Sequence, residues 1–135
     1  MLLNQKRVFV VEDNPGNLAV MQTILTQQGA TVFFERWGQD TCRRLLDALP
    51  IDIILLDLML PNGISGYDVF SAIKAVPELA SVPVVIVSAA DPDHEMDKAR
   101  RMGFSGFIGK PVRLNTFGHY VASVIQGQHV WAPAG

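Results

Sequence analysis

Five residues with reactive or ligating side chains stand where apolar runs end: Glu12, Asp13, Asp57, Ser88 and Lys110. Glu12-Asp13 follows Arg7-Val8-Phe9-Val10-Val11, and Asp57 closes the run Ile51-Asp52-Ile53-Ile54-Leu55-Leu56. Ser88 closes Pro83-Val84-Val85-Ile86-Val87, and Lys110 follows Ser105-Gly106-Phe107-Ile108-Gly109. Gathered in one cleft, three carboxylates with ordinary pKa values near roughly 4 would repel one another at neutral pH. A hard divalent cation relieves that repulsion, and oxygen ligands of this kind suit Mg²⁺, which keeps several waters. Lys110 adds a fixed positive charge, and Ser88 a hydroxyl able to donate to an incoming oxygen. Such a set binds a phosphoryl group, with Asp57 as nucleophile and metal plus lysine neutralising the phosphoryl oxygens. The product is an acyl phosphate, a hydrolysable mark. Each residue alone has a plainer role. Asp57 would cap the next turn, Glu12-Asp13 would sit as acids at a helix N-terminus, and Lys110 would be a solvated loop lysine. Their joint placement favours the site.

That placement depends on the elements. A short apolar run stopped by Pro61 and Gly63 reads as a strand buried on both faces. Similar strands are expected at 7–11, 31–34, 83–88 and 105–109. Between them, helical spacing joins Leu18, Met21, Ile24 and Leu25, then Cys42, Leu45, Leu46 and Leu49. It continues with Val69, Phe70 and Ile73 after Gly66, and ends with Leu114, Phe117, Val121, Val124 and Ile125. The helix from Asp93 to Met102 has only Met96, Ala99 and Met102 for packing, so it is expected to be the most loosely held. Five strands alternating with five helices imply right-handed βαβ units and an α/β fold. The expected form is a doubly wound five-stranded parallel sheet, order 2-1-3-4-5, with ligands at the carboxyl ends of the strands. Residues 127–135 carry no periodic signal.

Composition narrows the function classes. The 135 residues suit one domain, and 49% apolar with 18% charged residues describes a compact chain. A formal net charge of -2 and the lack of a basic run argue against direct nucleic-acid binding. Cys42 is the single cysteine, which excludes an internal disulfide or a CxxC pair, and it reads as a buried small hydrophobe. His94, His119 and His129 lack metal-ligand spacing. Trp37, Trp131 and Arg100-Arg101 mark no evident site. No run is long and apolar enough for a membrane span, and the N-terminus lacks signal-peptide order, so a cytoplasmic location is expected.

Val10-Val11-Glu12-Asp13-Asn14, Asp57-Leu58-Met59-Leu60-Pro61, Val85-Ile86-Val87-Ser88-Ala89 and Lys110-Pro111 resemble the receiver domains of two-component response regulators, of the stand-alone type. The resemblance runs from about residue 6 to 126 and implies the flavodoxin-like (βα)5 fold, with 1–126 as receiver domain and 127–135 as tail or linker stub. It implies that Asp57 accepts a phosphoryl group from a sensor histidine kinase or a histidine phosphotransfer protein. It also implies that Asp13, Asp57 and the Met59 backbone carbonyl hold Mg²⁺, with Glu12 acting through metal-bound water. Ser88 and Lys110 would each meet a phosphoryl oxygen. Phe107 matches the switching aromatic, which would turn inward as Ser88 moves toward the phosphate. The face made by residues 93–126 would then dock an unknown downstream protein or a second copy as a homodimer.

Departures from the family pattern carry expectations of their own. The loop Pro61 to Gly66 is one residue longer than the commonest pattern, which would displace the start of the third helix. Ser88 replaces the more frequent threonine. Met59 and Ala90 offer no acid or amide beside the path of attacking water, so a moderately long-lived acyl phosphate is expected. A phosphohydrolase of the haloacid-dehalogenase type needs a second acid where Met59 stands, so substrate turnover is not expected. A receiver-like module that binds partners without phosphate, and a fragment of a longer regulator, stay open.

Overall fold

A computed structural model describes all of residues 1–135. Six strands form one parallel sheet: β1 Arg7–Val11, β2 Thr31–Glu35, β3 Ile53–Leu56, β4 Val84–Ser88, β5 Gly106–Gly109 and β6 Val130–Ala132. The order is β2-β1-β3-β4-β5-β6. Five helices connect them: α1 Pro15–Gln27, α2 Thr41–Ala48, α3 Gly66–Lys74, α4 Pro92–Met102 and α5 Phe117–Ile125. None is long and apolar enough to cross a membrane.

The continuous apolar runs are explained by helices on both faces of the sheet. Alternate strand residues point to opposite sides, so Phe9, Val11, Ile54, Leu56 and Ile86 pack with Leu45, Phe70, Ile73 and Ala99 of α2, α3 and α4. Val8, Val10, Ile53, Leu55, Val85 and Val87 pack instead with Leu18, Met21, Leu25, Phe117 and Val121 of α1 and α5. Local signals set the helix starts. Asn14 caps α1 by accepting from the Asn17 N–H at 2.9 Å, with Pro15 in the first helical position. Asp91 and Pro92 repeat that arrangement for α4, which ends on Gly103 in the left-handed conformation. As the spacing implied, α4 buries only Ala99 completely. Polar contacts also hold it: the Tyr67 hydroxyl donates to Glu95, and Lys98 lies 3.9 Å from the centroid of the same ring.

Three expectations need correction. Residues 127–135 carry no periodic signal, yet Val130–Ala132 adds a sixth strand beside β5 to the five expected. Three residues are too few to show a period, and the strand exists only because β5 offers an edge. The last helix begins at Phe117, which leaves Leu114 outside it and largely exposed. The extra loop residue does not displace α3. A single 3₁₀ turn, Pro61–Gly63, absorbs it, with Asn62 at φ 61°.

Candidate active site

Parallel register brings the strand ends to one edge. Val11 pairs with Leu56, Leu56 with Ile86, and Ser88 with Gly109, so Glu12, Asp57, Ser88 and Lys110 emerge side by side. The Asp57 N–H donates to the Val11 carbonyl at 3.1 Å, which fixes Asp57 to the end of β1 as well as β3. Glu12, Asp13 and Asp57 can each offer an oxygen within 4.8 Å of the others, an arrangement fit for a hard divalent cation. Glu12 and Asp57 are buried, at 1% and 6% exposure.

Lys110 closes the group. Its Nζ lies 2.9 Å from Asp57 Oδ2 and also pairs with Glu12. Burial pulls the Lys110 pKa down, but hydrogen bonds and charge from Glu12 and Asp57 outweigh it, so the ammonium is held above its ordinary range. Burial pushes the Glu12 carboxyl upward and Asp57 adds to the rise, while Lys110 and the Asn14 N–H oppose it. The Asn14 N–H donates to the second Glu12 oxygen at 3.2 Å, and the Met59 N–H donates to Asp57 Oδ1 at 3.3 Å. Asp57 is thus left with a charge on one oxygen and an amide on the other. The Met59 side chain is 60% exposed and takes no part.

Ser88 is at the expected place, and its Oγ accepts the Ala90 N–H at 3.1 Å. It makes no hydrogen bond to the carboxylate–lysine group. Phe107 is already completely buried, in register between Ile86 and Trp131. An inward turn therefore has no exposed starting position in this conformation.

Two contributors have no signature in the strand-end pattern. An Arg36 Nη donates to the Asp13 carbonyl at 3.2 Å, and the guanidinium lies 4.7 Å from the Trp37 ring centroid. Its neighbour Glu35 is buried, accepts from the Trp37 and Gly38 N–H groups and the Thr41 hydroxyl, and its carbonyl accepts the Glu12 N–H. This network braces the loop carrying Asp13. The signal for it was Glu35 itself, an acid ending an otherwise apolar strand.

Gly66 supports Asp57 from the other side. A Cβ there would lie 2.3 Å from the Asp57 carbonyl oxygen and 2.8 Å from Leu58 Cα, both backbone atoms that no rotamer change can clear. Gly66→Ala is expected to cost about 1–3 kcal/mol through overpacking. It should also weaken divalent-cation binding, because Asp57 must shift. Urea denaturation and cation titration of the folded variant measure the two effects.

The sheet order and this acidic edge define a doubly wound α/β domain with its site at the carboxyl ends of the strands. The chain belongs to the response regulator receiver domain family, whose model matches residues 8–122. It is similar to the polar-differentiation response regulator DivK of Brucella ovis, 30% identical over 112 residues that cover 83% of this chain and 89% of that one. It is also similar to the two-component response regulator ORR1 of Oryza sativa subsp. japonica, 27% identical over 116 residues. That match covers 79% of this chain, which spans 50% of the rice protein's length. Among solved structures, the receiver domain of sensor histidine kinase PA1611 from Pseudomonas aeruginosa PAO1 has a TM-score of 0.79 at 24% identity, covering 91% of this chain and 99% of that one. It was solved with a magnesium ion coordinated in its active site cleft. At that identity the likeness is one of fold.

Proposed function

We propose that this receiver is a phosphoacceptor switch and that Asp57 takes the phosphoryl group. The observation that carries the reading is the buried pairing of Lys110 with both Asp57 and Glu12, at the edge where Asp13 completes an acidic trio. An Asp57 oxygen attacks phosphorus while the phosphorus–nitrogen bond to the donor histidine breaks, and the bonding pair returns to the imidazole. Lys110 neutralises charge on the transferred group, and the Met59 N–H steadies the carboxylate. Asp13, Asp57 and the Met59 carbonyl would hold Mg²⁺, with Glu12 placed to act through its bound water. When bound, the ion offsets the excess negative charge of the carboxylates and the incoming phosphoryl oxygens. Ser88 Oγ accepts from the Ala90 N–H and keeps its O–H free to donate to a phosphoryl oxygen.

The donor in this reading is a sensor histidine kinase or a histidine phosphotransfer protein in the cytoplasm. The readout is protein docking or pairing of two copies on the face made by residues 93–126, not turnover of a substrate. Phe107 serves that face from its buried position, and α4, thinly packed, is the element that shifts at least cost. The test is intact mass after incubation with a small acyl phosphate. One phosphoryl adduct that maps to Asp57 and forms with Mg²⁺, but does not form when the metal is chelated beforehand, is expected. A folded, metal-supplied chain that takes no adduct would leave a phosphate-independent binding module.

A further inference from the structure

The segment after α5 grips β5 on either side of Lys110. The Val130 N–H donates to the Ser105 carbonyl at 3.2 Å, and Trp131 lies in register with Phe107. β5 has glycine where the strap's backbone comes closest. A Cβ at Gly106 would lie 2.2 Å from the Val130 oxygen, and one at Gly109 2.0 Å from the Pro133 oxygen. Beyond β6 the chain turns back, with the Gly135 N–H donating to the Ala132 carbonyl at 3.1 Å and the Thr116 hydroxyl to the Gly135 oxygen at 2.9 Å. Gly135, at φ +77°, is packed so tightly that a Cβ would come within 2.7 Å of the Pro111 oxygen. Pro133 thus abuts the residue before Lys110, and Gly135 the residue after it.

We propose that residues 128–135 form a strap that positions Lys110, so that strap docking and the pairing of Lys110 with an anion on Asp57 favour each other. The inference rests on Asp57 being the phosphoacceptor. Without β6, β5 would be the sheet edge, and the end carrying Lys110 would be free to fray. Trp131 lies in register beside Phe107 and packs against the same core, and the Arg100 guanidinium carbon lies 4.5 Å from its ring centroid. The strap therefore ties α4, the aromatic under it and the site lysine into one unit. Coupling of this kind is reciprocal: whatever fixes Lys110 tightens the strap, and whatever releases the strap loosens Lys110.

Hydrogen exchange of the full chain, before and after acyl-phosphate treatment with Mg²⁺, reads one direction. Exchange across 128–135 is expected to slow on phosphorylation, and unchanged or faster exchange would overturn the proposal. Trp131→Ala reads the other direction. With the strap shown to be released by faster exchange, a misplaced Lys110 charge should make the adduct form at least about fivefold more slowly, and Trp131→Phe should recover the rate. A released strap with an unchanged rate also overturns it. Should the unmodified chain take no adduct, the phosphoacceptor reading fails by itself. The strap is then judged by the Lys110 amide, which donates to the Ser88 carbonyl at 3.0 Å. Faster exchange of that amide in Trp131→Ala keeps the positioning role, and unchanged exchange ends it.

Discussion

Asp57→Asn is expected to abolish the phosphoryl adduct entirely while the domain stays folded. An amide oxygen is a poor nucleophile, and neither Glu12 nor Asp13 stands in for Asp57. Glu12 is buried and already engaged by Lys110 and the Asn14 N–H. Asp13 is on the β1 side, with its carbonyl held by Arg36. The fold survives because asparagine matches aspartate in shape and Lys110 keeps Glu12 as its partner. Losing the Asp57 charge also removes one of the two influences that raise the Glu12 pKa. A group whose folded pKa is raised destabilises the fold as pH climbs from its ordinary value through the folded one. The variant should therefore lose less stability than the wild type as pH rises from 4.5, the ordinary Glu12 value. Intact mass checks the first claim and urea midpoints across pH the second. An adduct of full yield in Asp57→Asn would move the acceptor elsewhere.

How far the sequence reaches is clear from particular residues. The ends of β1, β3, β4 and β5 were legible because each strand is a continuous apolar run with an abrupt polar stop, which parallel strands buried on both faces produce. The convergence of Glu12, Asp57 and Lys110 followed from strand order alone. Orientation did not follow. Ser88 Oγ accepts the Ala90 N–H at 3.1 Å, a local turn that the strand pattern does not report. Phe107, expected to turn inward on switching, is already buried, with Trp131, a residue outside the periodic part of the chain, in register beside it. β6 is the largest element missed. Its three residues hold a strand conformation through an edge supplied by β5 and through glycines at 106 and 109, and no local propensity reports such a fit. Leu114 shows the converse, an apolar residue at helical spacing that the fold leaves exposed before α5 begins.

Lys110→Met is expected to slow adduct formation by about 10²–10³-fold, the scale of losing one preorganised charge that meets the developing negative oxygens. The same change should reshape stability. Lys110 is about 10% exposed and contacts two buried carboxylates. Breaking a buried pair costs about 3–5 kcal/mol when the surviving charge must stay in place. Glu12 has a way out, because burial and Asp57 already favour its protonated form and only Lys110 and the Asn14 N–H oppose them. With Lys110 gone its folded pKa rises further, so the folded state binds more protons than the unfolded state above 4.5. Stability then falls as pH rises through that window. The gap between wild type and Lys110→Met should be small in acid and widen toward neutral pH. Adding Mg²⁺ should narrow it at neutral pH, since a cation among Glu12, Asp13 and Asp57 supplies the missing positive charge. Urea denaturation of both proteins across this pH range, with and without Mg²⁺, gives the test. A gap independent of pH would mean that the lysine's butyl stem, and not its charge, holds this edge of the sheet together.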